Sequence, residues 1–93
     1  MDTITKIRNG EVDETELLEY VTSNDVELAL AVACRDFATA SILKIAAWDK
    51  DDKVRLAVIN NKNTNDDTIR LLCNDEKIEI KYAAKEELKR KNL

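Results

Sequence analysis

The sequence predicts an all-α fold, a short α-α superhelix of about seven short helices. Apolar residues recur at the helical spacing i, i+3, i+4 along almost the whole chain, and no segment alternates convincingly with the period of a strand. The 93 residues include no proline and one glycine, which argues against a many-turned β sandwich or barrel. The apolar groups also recur every 26 residues, and this internal repeat predicts stacked helix pairs.

Two columns of apolar residues define the 26-residue interval. The first column is Leu17, Leu43 and Ile69, the second is Leu28, Val54 and Ile80, and each residue begins an apolar group at helical spacing. Two groups per interval predict two helices per unit. We therefore expect a single domain, residues 1–93, made of units 2–27, 28–53 and 54–79 and a partial unit 80–93. The expected helices lie near residues 2–9, 13–22, 25–35, 39–48, 51–61, 65–74 and 77–91.

Two further columns, independent of the apolar ones, hold only residue types that cap helix N-termini. They are Asp13, Thr39 and Asn65, and Ser23, Asp49 and Asp75. Each column precedes an apolar group, where a side-chain oxygen can accept hydrogen bonds from the free amides of the first helical turn. Both columns are therefore expected to be N-caps, and their agreement with the apolar columns supports the 26-residue register.

The two ends of the stack are expected to be more polar than its middle, because a terminal unit faces water. Lys6 stands where later units have valine, and Lys85 stands where earlier units have Ala33 and Ile59. Apolar residues also remain near both ends: Ile4, Ile7, Leu88 and Leu93. They leave end-to-end stacking into a homo-oligomer open.

Residues 54–64 read VRLAVINNKNT and residues 69–72 read IRLL, with Asp75 shortly after them. This stretch resembles a leucine-rich repeat variant and, more broadly, the HEAT and armadillo class of α-solenoids, whose pattern runs from V-R through N-P-N-T to L-L and an acidic turn. Lys62 and Asn65 stand where that family has prolines. The resemblance covers about residues 25–90. It implies a right-handed superhelix that serves as a protein-interaction surface and carries no catalytic residue.

The composition offers little material for catalysis. The chain has no histidine, so the usual general base and the commonest metal ligand are missing, and no common nucleophile or phosphate-binding motif is present. The paired carboxylates Asp51-Asp52 and Asp66-Asp67 fall at expected helix starts, where capping explains them better than acid/base or metal chemistry. We therefore predict that the protein is not an enzyme and has no catalytic residue, cofactor or metal site.

Three features bear on the compartment. Cys34 and Cys73 lie 39 residues apart without a C-x-x-C pair, as in cytosolic proteins with reduced thiols. No stretch reaches 18 apolar residues, and the N-terminal residues lack the pattern of a signal peptide. These features predict a soluble, cytoplasmic protein that does not interact with a membrane.

The candidate protein-binding residues are Trp48, Phe37, Lys44 and Arg70. Trp48 and Phe37 stand in columns whose other members are polar, and tryptophan is a common anchor of protein interfaces. The alternative for Trp48 is packing over the neighbouring turn. Lys44 and Arg70 share a column beside the core face of the second helices. There they could meet an acidic partner, and the alternative is an ordinary solvated surface.

The leading hypothesis is a non-enzymatic protein-interaction or accessory module whose partner is another protein. Two other functions stay open because residues 1–53 carry 12 acidic and 6 basic side chains, whereas residues 54–93 carry 7 and 9. The basic half could bind nucleic acid through Arg55, Arg70, Lys81, Lys85, Lys89, Arg90 and Lys91. A net charge of −4 makes this the less favoured hypothesis. The acidic half could belong to an inhibitor that imitates nucleic acid, using Glu11, Asp13, Glu14, Glu16 and Glu19.

Overall fold

Seven α-helices and the turns between them form residues 2–91, the part of the chain that the computed structural model describes. The helices are α1 (Thr3–Arg8), α2 (Glu14–Val21), α3 (Val26–Ala33), α4 (Ala40–Ala46), α5 (Asp52–Asn60), α6 (Asp66–Leu72) and α7 (Ile78–Arg90). This part of the chain contains no strand, so the all-α prediction is confirmed. Each helix begins one residue after its expected start, because the expected starting residues are the N-caps.

Side-chain oxygens determine where the second helix of each pair begins. Asp13, Thr39 and Asn65 are the N-caps of α2, α4 and α6, and each side chain accepts a hydrogen bond from the amide three residues later, over 2.9, 3.3 and 3.2 Å. This capping column is confirmed. Asp13 also forms a capping box with Glu16, in which the carboxylate of Glu16 accepts from the Asp13 amide.

The second predicted capping column is wrong by two residues. The N-caps of α3, α5 and α7 are Asp25, Asp51 and Lys77. The side chains of Ser23, Asp49 and Asp75 instead accept hydrogen bonds from the amides of those N-cap residues, over 3.3, 2.9 and 2.9 Å. Such a contact to the second following amide forms a local turn, which competes with capping for the same residue types. The column therefore shapes the turns that enter these helices.

Gly10, the single glycine, ends α1. Its φ of +73° lies in the left-handed region that residues with a Cβ rarely adopt. The Gly10 amide donates to the carbonyl of Ile7, and the Glu11 amide donates to the carbonyl of Lys6. These two bonds form a Schellman motif, which satisfies carbonyls at the helix end and turns the chain toward α2.

The odd-numbered helices form one continuous layer. In the odd-numbered layer α3 packs against α1 and α5, and α5 packs against α7. Among the even-numbered helices α2 packs against α4, while α6 packs against α5 and α7 of the odd-numbered layer. The molecule is elongated, with extents of 39 × 23 × 17 Å. Helices that lie one 26-residue interval apart in the odd-numbered layer are therefore direct neighbours.

One apolar core takes buried residues from all seven helices. The column of Leu17, Leu43 and Ile69 is buried throughout. In the other column Val54 and Ile80 are buried, and Leu28 is half-buried. Since burying a large aliphatic side chain contributes about 1.5–3 kcal/mol, these two columns are a major source of stability.

Polar contacts between units follow the same interval. Among the described residues, six side-chain hydrogen bonds join residues 25 or 26 positions apart: Thr39 to Glu14, Lys50 to Asn24, Asn61 to the Arg35 carbonyl, Asn63 to the Ala38 carbonyl, Lys77 to Asp52, and Lys91 to Asp66. The side chain of a later unit is the donor in every case. Within residues 2–91, no helix combines the length and the apolar content needed to cross a membrane.

Candidate functional site

The most exposed aromatic side chain of the described residues is Trp48, just after the end of α4. It is 72% exposed, so it does not pack over the neighbouring turn. Ile45 and Leu71 on the same side of the molecule are 38% and 36% exposed. Lys44 and Arg70, next to them on α4 and α6, are exposed as well. We call these five residues, Lys44, Ile45, Trp48, Arg70 and Leu71, the Trp48 surface.

A shallow hollow lies on each side of Trp48. The first, of about 370 Å³, separates Trp48 from the turn between α2 and α3, and its apolar lining includes Val21, Val26 and Ile45. The second, of about 500 Å³, separates Trp48 from the end of α6, and its apolar lining includes Leu71 and Leu72. Polar side chains line both hollows as well: Thr22, Ser23, Asn24 and Lys50 in the first, and Asn74 and Glu76 in the second. An apolar centre within a polar rim is the usual composition of a protein-binding surface.

A nearly buried ion pair supports the second hollow. The Arg55 guanidinium donates from Nε and Nη2 to the two carboxylate oxygens of Asp75, over 2.8 and 3.2 Å. Its Nη1 donates to the carbonyl of Asp49 over 2.8 Å. The side chains of Arg55 and Asp75 are only 11% and 8% exposed. Because a bidentate contact fixes both direction and distance, this pair holds the turn after α4 and the turn after α6 in one arrangement.

The four predicted protein-binding residues do not form one patch. Lys44 lies on α4 four residues before Trp48, and Arg70 lies on α6 next to Leu71. Phe37 is 70% exposed but precedes the other end of α4, so about 10 Å of helix separates it from Trp48. The carboxylate of Asp67 accepts a hydrogen bond from Arg70 over 3.0 Å, so the charge of Arg70 is partly neutralised.

Two apolar members of the Trp48 surface, Ile45 and Leu71, were not among the sequence candidates. Their column begins with Glu19, which is exposed, and this polar member is the signal that could have identified an outward-facing position. The residues directly after them, Ala46 and Leu72, belong to the core, so the apolar pattern does not show that Ile45 and Leu71 face outward. Helical periodicity alone therefore does not separate the edge of the core from an exposed apolar patch.

The motif that carries the family resemblance has a structural role. Nδ2 of Asn61 donates to the carbonyls of Ala33 and Arg35, both over 2.9 Å. Nδ2 of Asn63 donates to the carbonyls of Asp36 and Ala38, over 2.7 and 2.9 Å. Two asparagines thus satisfy four carbonyls of the preceding unit.

The paired carboxylates are occupied by structural contacts. Asp51 caps α5, and Asp66 accepts from Lys91 over 3.2 Å. Asp52 accepts from Lys77, and this hydrogen bond lowers the pKa of Asp52 and raises the pKa of Lys77. General acids need a raised carboxyl pKa, and the shift at Asp52 has the opposite sign.

The two cysteines are free thiols. Partial burial raises the pKa of Cys34, so the unreactive thiol form is favoured there at neutral pH. Cys73 is half-buried against the core. Among residues 2–91, no cluster of three or more acidic or cysteine side chains could hold a metal ion.

Most of the cations considered for nucleic-acid binding are paired with carboxylates. Arg55 and Arg70 pair with Asp75 and Asp67, and Lys89, Arg90 and Lys91 pair with Glu86, Glu87 and Asp66. Of the acidic residues considered for an inhibitor, Asp13 and Glu16 form the capping box and Glu14 accepts from Thr39. Five of the seven cations are thus paired within the described chain, which weakens the nucleic-acid hypothesis, and three of the five acidic residues also serve contacts within the chain.

Comparison of the chain with protein-family models, with curated proteins and with solved structures found no match.

Proposed function

We propose that this chain is a non-enzymatic protein-interaction module and that the Trp48 surface is its contact site. The observation that carries the proposal is the exposure of Trp48 between two apolar hollows. A tryptophan buries 150–250 Å² when a partner covers it, and tryptophan is enriched among the residues that dominate binding energy. A partner that fills both hollows would enclose the indole from two sides.

The scaffold that we propose is a short right-handed superhelix of the HEAT, armadillo or leucine-rich-repeat-variant type. Its support is the contact between odd-numbered helices one interval apart, together with side-chain hydrogen bonds that span 25 or 26 residues. A scaffold of this kind holds neighbouring helix ends in register. It would present Ile45 and Leu71 of adjacent units on either side of Trp48.

The absence of catalysis is part of the same proposal. Its support is the use of the paired carboxylates as caps and ion-pair partners and the raised pKa of Cys34. None of these groups has the environment that activates a nucleophile or a general acid.

The first experiment is affinity purification of the tagged full chain from its own cells, with Trp48→Ala beside the wild type. We expect the specific partner to be lost from Trp48→Ala, because truncation of a central tryptophan costs at least about 2 kcal/mol of binding energy. That loss corresponds to a roughly thirtyfold increase in Kd. The matched control is Tyr82→Ala, which truncates a 65%-exposed aromatic residue of α7 outside the Trp48 surface. A partner that binds Trp48→Ala as tightly as the wild type contradicts the assignment of the surface.

A second measurement uses the intrinsic fluorescence of the protein. Trp48 is the single tryptophan of the chain, so its emission reports on this surface once the emission of the partner alone has been subtracted. When the purified partner is added, we expect the emission to move to shorter wavelengths as the indole leaves water. Binding without any change in the emission would place the contact elsewhere.

A further inference from the structure

One side of α7, the last helix of the described chain, exposes positions whose equivalents in earlier units are covered. Lys85 is exposed, whereas Ala33 and Ile59 at the equivalent positions are buried. Ile78 is 71% exposed, whereas its equivalent Val26 is half-buried. Lys81 lies between Ile78 and Lys85 at helical spacing, on the same side of α7. We call Ile78, Lys81 and Lys85 the basic end.

The opposite end of the described chain shows the same difference in exposure. Val12, Glu16 and Tyr20 are half-buried, whereas the equivalent residues of both following units are buried: Ala38 and Thr64, Ile42 and Thr68, Ala46 and Leu72. Asp13 caps α2 beside these residues and is exposed. We call Val12, Asp13, Glu16 and Tyr20 the acidic end.

The two ends have opposite charges. Lys81 and Lys85 form no ion pair with another residue of the described chain, so both charges are available at the basic end. The acidic end carries the carboxylates of Asp13 and Glu16, with Glu19 close by on α2. The preceding helix α1 carries two exposed cations, Lys6 and Arg8, which the three carboxylates outnumber. Each end combines apolar side chains with charges that attract the other end.

We propose that a second copy of this chain docks its acidic end on the basic end of the first. The apolar contact would join Ile78 to Val12 and Tyr20, and the ionic contact would join Lys81 and Lys85 to Asp13 and Glu16. Two basic ends repel each other, as do two acidic ends, so the charges disfavour a symmetric dimer. A contact between two different surfaces leaves a free end on each copy, and association therefore continues into open chains. The Trp48 surface takes no part in this contact.

Sedimentation equilibrium of the full chain tests the proposal, over a series from about 10 μM to about 1 mM, where small interfaces associate. At about 50 mM salt we expect the average mass to rise with concentration from 10.6 kDa past twice that value. Raising the salt to about 0.5 M should lower the mass, because screening weakens the ionic contact. A mass that stays at 10.6 kDa, or one that levels off at the dimer, overturns the proposal.

Charge reversal identifies the surfaces. We expect Glu16→Lys and Lys85→Glu each to return the chain to a monomer, and the two changes combined in one chain to restore the rise in mass. The matched controls are Glu27→Lys and Lys53→Glu, which make the same charge changes on exposed positions of α3 and α5. Failure of the combined variant to associate, or unchanged association of either single variant, overturns the assignment.

Two further variants keep the result interpretable. Should Glu16→Lys fail to fold, Ile78→Ser removes the apolar contact at the other end without touching a helix cap, and it must also lower the mass. Trp48→Ala must leave the mass unchanged, which separates this proposal from the proposed function. Loss of self-association in Trp48→Ala would place the contact between copies on the Trp48 surface and overturn the end-to-end arrangement.

Discussion

The joint between units 28–53 and 54–79 and the joint between units 2–27 and 28–53 occupy equivalent positions but use different polar groups. In the later joint Asn61 and Asn63 satisfy four carbonyls of the preceding unit. In the earlier joint Arg35 and Phe37 stand at those positions. The Nε of Arg35 is buried without a hydrogen-bond partner among the described residues, and Phe37 is 70% exposed.

The same difference recurs in two other contacts. Arg55 of the later joint binds Asp75 and the Asp49 carbonyl, whereas the equivalent residue one unit earlier is Ala29. Lys77 pairs with Asp52 across the later joint. The apolar columns are shared by both joints, so the core sets the register. These polar contacts of the later joint are missing at the equivalent positions of the earlier joint. We therefore expect α1 and α2 to open before the rest of the molecule.

The largest expected effect is the loss of the Arg55–Asp75 ion pair, which lies within unit 54–79 and positions Arg55 against the Asp49 carbonyl of the preceding unit. Asp75→Ala leaves the nearly buried guanidinium of Arg55 without its carboxylate, which costs about 3–5 kcal/mol of unfolding free energy. Urea unfolding followed by circular dichroism measures the change. The control is Asp67→Ala, which removes the carboxylate partner of the half-exposed Arg70 and should cost less than about 1 kcal/mol. Equal losses in the two variants would mean that burial of the Arg55 pair adds nothing.

The asparagines of the later joint are the next largest contribution. Asn63→Ala removes two hydrogen bonds to carbonyls of the preceding unit, and we expect a loss of about 2 kcal/mol. Phe37→Ala changes the equivalent position of the earlier joint, where the side chain is exposed, and should stay within about 0.5 kcal/mol. The same urea titration compares the two. A cost for Phe37→Ala as large as that for Asn63→Ala would remove the proposed distinction between the joints.

The sequence was sufficient for the seven helices and for the N-caps of α2, α4 and α6, because both depend on local chemistry. Apolar spacing located all seven helices, and the column of Asp13, Thr39 and Asn65 placed three N-caps at the observed residues. The column of Ser23, Asp49 and Asp75 was misinterpreted because the same side chains can form a turn two residues before the cap. Sequence alone does not decide between these two uses, since both satisfy a nearby amide.

The candidate site was predicted only in part. Trp48 was identified because its column is otherwise polar, and its exposure agrees with that interpretation. Phe37 met the same criterion, yet it lies at the far end of α4 from Trp48. A column gives the position of a residue within the repeat, but it does not give the distance between residues of different columns. The exposure of Ile78 could not be read from its spacing, since it depends on which described helices cover α7. Contacts between units therefore carried the information that periodicity lacked.

Gly10 ends α1 in the first unit and lies beside Arg35 of the second, so substitutions there test the turn at the earlier joint. Gly10→Ala places a Cβ on a residue with φ of +73°, and we expect a loss of about 1 kcal/mol from the left-handed conformation. Space is not the cause, because the added Cβ would lie 3.6 Å from Nη2 of Arg35, an ordinary van der Waals distance. Gly10→Asn should cost less, since asparagine adopts this conformation more readily. The matched control is Lys62→Ala, an exposed residue of the same column, and stability equal to wild type in Gly10→Ala would show that the turn does not need glycine.

The smallest expected effect is the pH dependence of the Asp52–Lys77 contact, which the earlier joint lacks because Val26 stands where the later joint has Asp52. The hydrogen bond from Lys77 lowers the pKa of Asp52 below its ordinary value of about 3.9. A carboxyl whose pKa is lower in the folded protein stabilises it above the unfolded pKa. This stabilisation is lost as the pH falls through the folded pKa, below about 3.9. Asp52→Asn should therefore reduce the difference in unfolding free energy between pH 7 and pH 3, with a small decrease at pH 7.

Lys77→Met tests the cause of this pH dependence, because it leaves the carboxyl and removes the donor. It should reduce the same difference between pH 7 and pH 3, since Asp52 then titrates nearly alike in the folded and unfolded chains. The contact between Glu87 and Arg90, which also lowers a carboxyl pKa, lies within α7 and contributes equally to all three proteins. The part of the acid sensitivity that disappears in both variants therefore belongs to the later joint. If the difference in unfolding free energy between pH 7 and pH 3 is unchanged in Asp52→Asn, this ion pair does not distinguish the two joints.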